Sequence, residues 1–200
     1  MADLTPTRGA ALALAEEKSF IETGFGFLDE KRMLLAATLL KELAAWKAAR
    51  DHYDQALQAA RSAMQAAILR HGLEGVQHYP VAPTGGADIM VATANLLGLP
   101  LMQPPDFAWS AAKTPDCIDA SSQAEACRAA FAALVPLAAA MAARQGNVYR
   151  LIREYRSTER RARALENVLL PETKAQLAAI NDYLDEADQE EAIRIRNAAR

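Results

Sequence analysis

The chain has 200 residues, of which 52% are apolar and only 6% aromatic, and much of the apolar content is alanine. Alanine favours helix strongly but buries little surface per residue, so this composition is typical of long helices with thin apolar stripes rather than a thick globular core. The net charge of -3, with acidic and basic residues interspersed, excludes the basic excess expected of a nucleic-acid-binding protein.

Localisation is predicted from three features of the sequence. Cys117 and Cys127 are too few for a disulfide framework. No N-terminal stretch has the basic flank, apolar core and cleavage site of a signal peptide. The longest apolar run, Ala129–Ala143, contains Pro136 and falls short of the roughly 18 residues that a membrane span needs. We therefore expect a cytoplasmic chain that does not insert into a membrane and reaches one only through partners.

Residues 1–71 are predicted to form the first long helix. Thr5 is the expected cap, Pro6 suits the first helical position, and Gly72 suits a left-handed cap at the other end. Apolar side chains recur at alternating steps of three and four, which indicates a coiled-coil seam about 100 Å long. The predicted seam residues are Leu14, Ile21, Phe25, Leu28, Leu35, Leu39, Trp46 and Tyr53.

Residues 72–121 are predicted to form a turnaround region, because most of the glycines and prolines lie there. The apolar segment from Ile89 to Met102 is compatible with a short β-hairpin around Asn95 to Gly98.

Residues 122–200 are predicted to form a second long helix. Ser122 and Glu125 stand at capping-box spacing. After Leu169 two successive steps of four predict a stutter that locally unwinds the supercoil, and Pro171 falls at the same point. The predicted seam residues are Leu134, Met141, Val148, Tyr155, Leu165, Leu169, Leu177, Ile180 and Leu184. Neither helix can leave its stripe in water, so the expected fold is all-α: a long antiparallel two-helix coiled coil with a small irregular or hairpin turnaround.

The sequence offers no candidate catalytic, cofactor-binding or metal-binding residues. The stretch from Thr84 to Ala87 lacks the lysine of a phosphate-binding loop. The three histidines do not recur at metal-ligand spacing, and none has a glutamate three residues before it, as a carboxylate metal enzyme with a helical-bundle core would need. An enzyme is the weakest interpretation of this sequence.

A basic run near the end of the chain includes Arg160, Arg161 and Arg163. Two interpretations remain open: a solvated helix face, or a surface that contacts acidic groups of a partner. The acidic cluster from Asp182 to Glu191 is expected to be a solvated face.

Two blocks of sequence resemble the D-subunit family of V-type (vacuolar/archaeal-type) ATPases. Residues 160–171, in which an arginine pair precedes Leu165-Glu166-Asn167 and a proline closes an apolar triplet, are similar to that family's C-terminal block. Near the other end, Pro6-Thr7-Arg8, Gly24, Leu28 and Glu30-Lys31-Arg32 resemble its opening helix. One block lies on each of the two predicted long helices.

The resemblance implies a non-catalytic central-stalk rotor. It implies partnership with the catalytic A and B subunits, with the F subunit, and with a socket-like subunit above the membrane rotor. It also suggests a partner interface whose residues are Arg160, Arg161, Arg163, Leu165, Glu166 and Pro171. The alternative that shares the same periodicity is an antiparallel coiled-coil adaptor unrelated to rotary ATPases.

Overall fold

The computed structural model describes residues 6–80, 91–105 and 120–199. In chain order the elements are helix α1 (Arg8–Gln77), strands β1 (Thr93–Leu96) and β2 (Leu99–Met102), helix α2 (Ser122–Ala164), a π-helical segment (Leu165–Leu169) and helix α3 (Leu170–Ala198). A long N-terminal helix and a long, π-interrupted C-terminal helix therefore flank a small antiparallel hairpin, and the predicted fold class is confirmed.

Both helix starts differ from the prediction by one or two residues. The Thr7 hydroxyl accepts the amide hydrogen of Ala10 at 3.1 Å, so α1 is capped by Thr7 and Pro6 precedes the helix. Thr5 lies outside the described residues. The Ser121 hydroxyl accepts from the Ala124 amide at 3.1 Å, so Ser121 caps α2 in place of Ser122. Neighbouring hydroxyls are equivalent as caps, and the turn of the backbone decides which one is used.

The sequence predicts that Gly72 caps the end of the first helix, but Gly72 instead interrupts α1 before its last residues. Its φ of 72° lies in the region that favours glycine, whereas its ψ of 170° is not that of a left-handed cap. The chain resumes helical geometry and continues to Gln77, and α2 continues through Pro136 without a break.

The chain divides into a terminal unit, residues 1–36 and 154–200, and a central unit, residues 37–153. In the described part of the terminal unit, α1 runs antiparallel to the C-terminal helical stretch. Residues further along α1 contact residues that come earlier in that stretch. Three ion pairs mark this order: Arg8 with Asp188 at 2.9 Å, Glu22 with Lys174 at 3.9 Å, and Lys31 with Glu154 at 2.6 Å.

The central unit pairs its helices in the same sense. Glu42 on α1 faces Arg144 on α2 at 3.9 Å, and His71 contacts Ser121 at 2.6 Å. Its core is thin and rich in alanine, as the composition predicts. The buried apolar residues are Ala60, Ala67, Ala124, Leu134, Ala143 and Leu151.

The hairpin turns through Leu97 and Gly98, both with positive φ, and pairs Leu96 with Leu99. Two positive φ values in a two-residue loop are typical of the turn that matches the natural twist of the strands. Pro100 pairs with Asn95 at a position that is not hydrogen-bonded in this register, where the backbone N–H and C=O groups face away from the partner strand. Because no ladder hydrogen bond is formed there, the missing N–H of Pro100 leaves the ladder intact.

Candidate partner surface

The π-helical segment Leu165–Leu169 lies at the point where the sequence predicts a stutter. The amide of Leu170 donates to the carbonyl of Leu165, five residues back. None of the five residues is buried, and Leu165 is the most enclosed of them. A Cβ atom placed on Gly24 of α1 would lie 3.7 Å from a methyl carbon of Leu165, so Leu165 sits against the backbone of α1 at this level.

The arginines of the candidate interface, Arg160, Arg161 and Arg163, are all exposed on the last turns of α2. Arg163 pairs with Glu159 at 2.6 Å one turn back. Within the described residues neither Arg160 nor Arg161 forms an ion pair, so both guanidinium groups are accessible to a partner. Glu166 and Pro171 are exposed as well, which puts a mixed polar and apolar surface around the π turn.

A second exposed feature of the terminal unit is apolar. Phe20, Phe27 and Leu34 recur every seven residues on α1 and expose 79%, 63% and 54% of their surface. Side chains seven apart share one helix face, so these three form a stripe beside the seam rather than in it. We call it the Phe20–Leu34 stripe. The sequence does not single out this stripe, although its spacing is regular. Each of its residues precedes a seam residue, Ile21, Leu28 or Leu35, and the two lines have the same seven-residue period.

The predicted seam residues fall into three groups by burial. Five are buried: Leu14, Ile21, Leu35, Leu134 and Ile180. Eleven are half-buried: Phe25, Leu28, Leu39, Trp46, Tyr53, Met141, Val148, Tyr155, Leu165, Leu177 and Leu184. Leu169 is exposed by 42%, and the neighbouring Leu170 is the more enclosed residue. Two fully buried positions on the C-terminal side, Leu151 and Thr158, lie on the same seven-residue line as Leu165 and were not predicted from the sequence.

Asn147 is a functional candidate that was not predicted from the sequence. It is 3% exposed on α2, and its amide group closes the outer edge of β2 with two hydrogen bonds. Its Oδ1 accepts from the Met102 amide at 2.8 Å, and its Nδ2 donates to the Met102 carbonyl at 2.7 Å. The side chain therefore takes the place of a third strand and fixes the hairpin to α2. The one feature of the sequence that could have indicated Asn147 is that a single asparagine follows the alanine-rich stretch of α2.

We expect Asn147→Leu to release β2 from α2. The substitution leaves the Met102 N–H and carbonyl without partners, which costs about 1–3 kcal/mol for groups shielded from water. Amide hydrogen exchange at Met102 should accelerate at least tenfold. The exposed neighbour Gln145→Leu is the matched control and should leave that exchange rate unchanged. Equal exchange in both variants would contradict this role for Asn147.

Potential reactive and metal-binding groups are sparse in the part of the chain that the structure describes. No group of three or more His, Cys, Asp and Glu side chains lies together there in a way that could hold a metal ion. Burial raises the pKa of the Cys127 thiol, which makes it a poor nucleophile near neutral pH. Cys117 and the glycine-containing stretch from Thr84 to Ala87 lie outside the described residues.

The family model for the D subunit of ATP synthase matches residues 10–200 of this chain. The chain belongs to the ATP synthase D-subunit family. The D subunit of a V-type ATP synthase from Anaeromyxobacter dehalogenans is 27% identical over 200 residues, covering 98% of this chain and 95% of its own length. The V-type D subunit of Thermotoga neapolitana is 23% identical over 193 residues, with 96% and 95% covered.

The D subunit of an A-type ATP synthase from Thermococcus kodakarensis is also similar, at 23% identity over 197 residues and with 97% and 92% covered. The D-subunit family therefore matches nearly the whole length of this chain and not the two terminal blocks alone. The residues of the π-helical segment and of the hairpin lie within the part of the chain that the family model matches.

Proposed function

We propose that this chain is the central rotor shaft of a V-type ATPase or ATP synthase. In this role it couples ATP hydrolysis or synthesis in the catalytic ring to ion translocation by rotating, and it has no active site of its own. The proposal rests on one combined observation: the family match extends over residues 10–200, and the helices within each unit pack antiparallel along a buried stripe.

The coupling mechanism depends on the unequal surfaces of the two helices in the terminal unit. The side of α1 beside the seam offers the apolar Phe20–Leu34 stripe, while the end of α2 offers exposed arginines. A shaft with different chemistry on different sides contacts identical catalytic interfaces with different free energies. Such differential contact can make their nucleotide affinities unequal.

The partners we propose are those the resemblance implies: the catalytic A and B subunits around the terminal unit, and the F subunit with a socket-like subunit toward the turnaround. The relatives are D subunits of V-type and A-type ATP synthases, which supports assembly into such a complex. The adaptor alternative has no comparable support, since the family match spans nearly the whole chain.

The chain is proposed to be cytoplasmic and peripheral to the membrane. By length and composition the helical stretch Ser122–Ala198 includes a window apolar enough to cross a bilayer, and 11% of that window is buried. Alanine supplies most of its apolar character, and Pro136 lies within the same run. We interpret this surface as a protein-contacting one, since alanine gains little from lipid and allows helices to approach closely.

Reconstitution tests the proposed function directly. Purified A and B subunits are assembled with and without this chain, and multi-turnover ATP hydrolysis is followed. The ring with the chain should sustain hydrolysis over many turnovers, while the ring without it should slow or stop because its sites lose their asymmetry. Equal sustained rates would contradict the rotor assignment.

A further inference from the structure

The seam of the terminal unit contains one residue more than a regular seven-residue repeat. On the N-terminal side of the π-helical segment, Thr158 and Leu165 are seven residues apart. On its C-terminal side, Thr173 and Ile180 are again seven apart, and both are buried. Across the segment, however, Leu165 and Thr173 are eight apart.

A second line of enclosed residues shows the same offset. Tyr155 and Ala162 are seven apart, and Leu170 and Leu177 are seven apart, while Ala162 and Leu170 are eight apart. Both lines of enclosed residues therefore skip one residue at the same place, as a single inserted residue requires. The predicted stutter is local, and the structure shows its form: a single π turn takes one extra residue, so that Leu170 and not Leu169 is enclosed.

The π turn explains how eight residues can return to the same helix face. Its hydrogen bond joins residues five apart, so the turn takes one residue more than an α-turn. Residues eight apart across it occupy equivalent positions, as residues seven apart do in a continuous helix of a coiled coil. The extra residue is displaced outward, and this is why Leu169 is exposed while Leu170 takes the enclosed position.

Pro171 fixes where the π turn ends. Leu170 donates to Leu165, and the next backbone nitrogen in line belongs to Pro171, which has no hydrogen to donate. The proline and the inserted residue thus share one interruption of the hydrogen-bond ladder instead of causing two. The Thr173 hydroxyl then donates to the Leu169 carbonyl at 2.9 Å and supports the ladder just beyond the interruption.

Packing alone does not require this arrangement, because removing one residue would make both lines regular. We propose that the inserted residue makes the π-helical segment a torsional joint between the last turns of α2 and α3. Each side keeps its own seven-residue register against α1, and the π turn absorbs changes of twist between them. Its contribution to coupling rests on the proposed rotor function, whereas the insertion itself is tested on the isolated chain.

The test compares two single-residue deletions in a Pro171→Ala background, which removes the proline's own penalty from the comparison. Deletion of Asn167 takes out the inserted residue. Deletion of Ala179, an exposed alanine of α3, is the matched control and shortens the regular Thr173–Ile180 spacing to six. The melting temperature and the amide exchange of residues 166–173 are measured for the full-length chain.

Relative to Pro171→Ala, deletion of Asn167 should leave the melting temperature unchanged or raise it and should slow amide exchange around the former π turn. Deletion of Ala179 should lower the melting temperature by about 5 °C or more, since it turns one side of the seam out of register. If both deletions lower the melting temperature equally, the insertion is not a discrete extra residue and the proposal is overturned.

The functional half is tested in the ring reconstituted from A and B subunits. With the Asn167 deletion, ATP turnover should fall at least threefold relative to the Pro171→Ala chain, although the shaft is as stable or more so. Unchanged turnover would overturn the role of the joint in coupling. Failure of the unmodified chain to sustain hydrolysis would instead refute the rotor function, and the stability comparison would still stand.

Discussion

Replacing Leu35 with alanine is expected to lower the free energy of unfolding by about 2–5 kcal/mol, a large effect for a single truncation. Leu35 is completely buried and is one of the largest fully buried side chains in the described part of the chain. Because many of the buried residues are alanines, each contributes little apolar surface to the seam. The loss of one leucine therefore removes a large share of the local packing. Urea denaturation followed by circular dichroism measures the change.

Leu169→Ala is the matched control for this truncation. The same atoms are removed, but Leu169 is 42% exposed and lies at the outward bulge of the π turn. The expected cost is below about 1 kcal/mol, because the side chain is already partly in water. Equal losses for the two variants would contradict the assignment of Leu35 to the seam and of Leu169 to the outside.

The second large effect is expected from reversing the charge of Arg160, Arg161 and Arg163 together. We predict that the triple substitution to glutamate reduces ATP turnover of the reconstituted ring at least tenfold. Opposite charges that meet at a desolvated interface contribute about 1.5 kcal/mol or more per pair, and a tenfold change corresponds to about 1.4 kcal/mol. The isolated chain should unfold at nearly the same temperature, since these side chains are exposed.

A triple reversal on the central unit controls for net charge. Lys47, Arg61 and Arg70 are exposed residues of α1, and their substitution by glutamate changes the total charge by the same amount. This control should leave turnover by the A–B ring largely intact. If neither triple variant alters turnover, the arginines near the π turn are a solvated helix face, which is the alternative that their sequence leaves open.

The helices and most of their enclosed residues could be predicted because the signal is repeated many times. Leu14, Ile21 and Leu35 share one period over about six turns of α1, so an error at any single position does not change the conclusion. Helix starts were less predictable. Thr5 and Thr7, or Ser121 and Ser122, are chemically equivalent as caps, and the sequence does not say where the backbone turns.

The register change near Pro171 shows a different limit. The sequence indicates that the repeat changes there, and the structure contains a π turn at that place. The predicted steps of four run from Leu169 through Thr173 to Leu177, so the sequence already places Thr173, which is buried, in the seam. A pattern of threes and fours assumes α-helical turns throughout and therefore assigns the exposed Leu169 to the seam, whereas the π turn brings Leu170 to the enclosed face.

Asn147 illustrates what local sequence cannot provide. A polar residue within a helical stripe suggests solvent exposure, yet Asn147 is buried because the hairpin supplies hydrogen-bonding partners from 45 positions away. The prediction of a hairpin was correct, but nothing in residues 93–102 indicates which helical side chain receives it. Contacts between elements distant in sequence depend on the docked structure and not on either pattern.

Rotation of the chain inside the assembled complex is the most direct test of the proposed rotor function. A single cysteine introduced by Leu97→Cys at the hairpin turn, in a chain whose Cys117 and Cys127 are replaced by serine, allows a bead to be attached. With the A–B ring immobilised, ATP should drive sustained rotation of the bead in one direction, at a rate that follows ATP turnover. A bead that stays still while the ring hydrolyses ATP over many turnovers would contradict the central claim that this chain is the moving shaft.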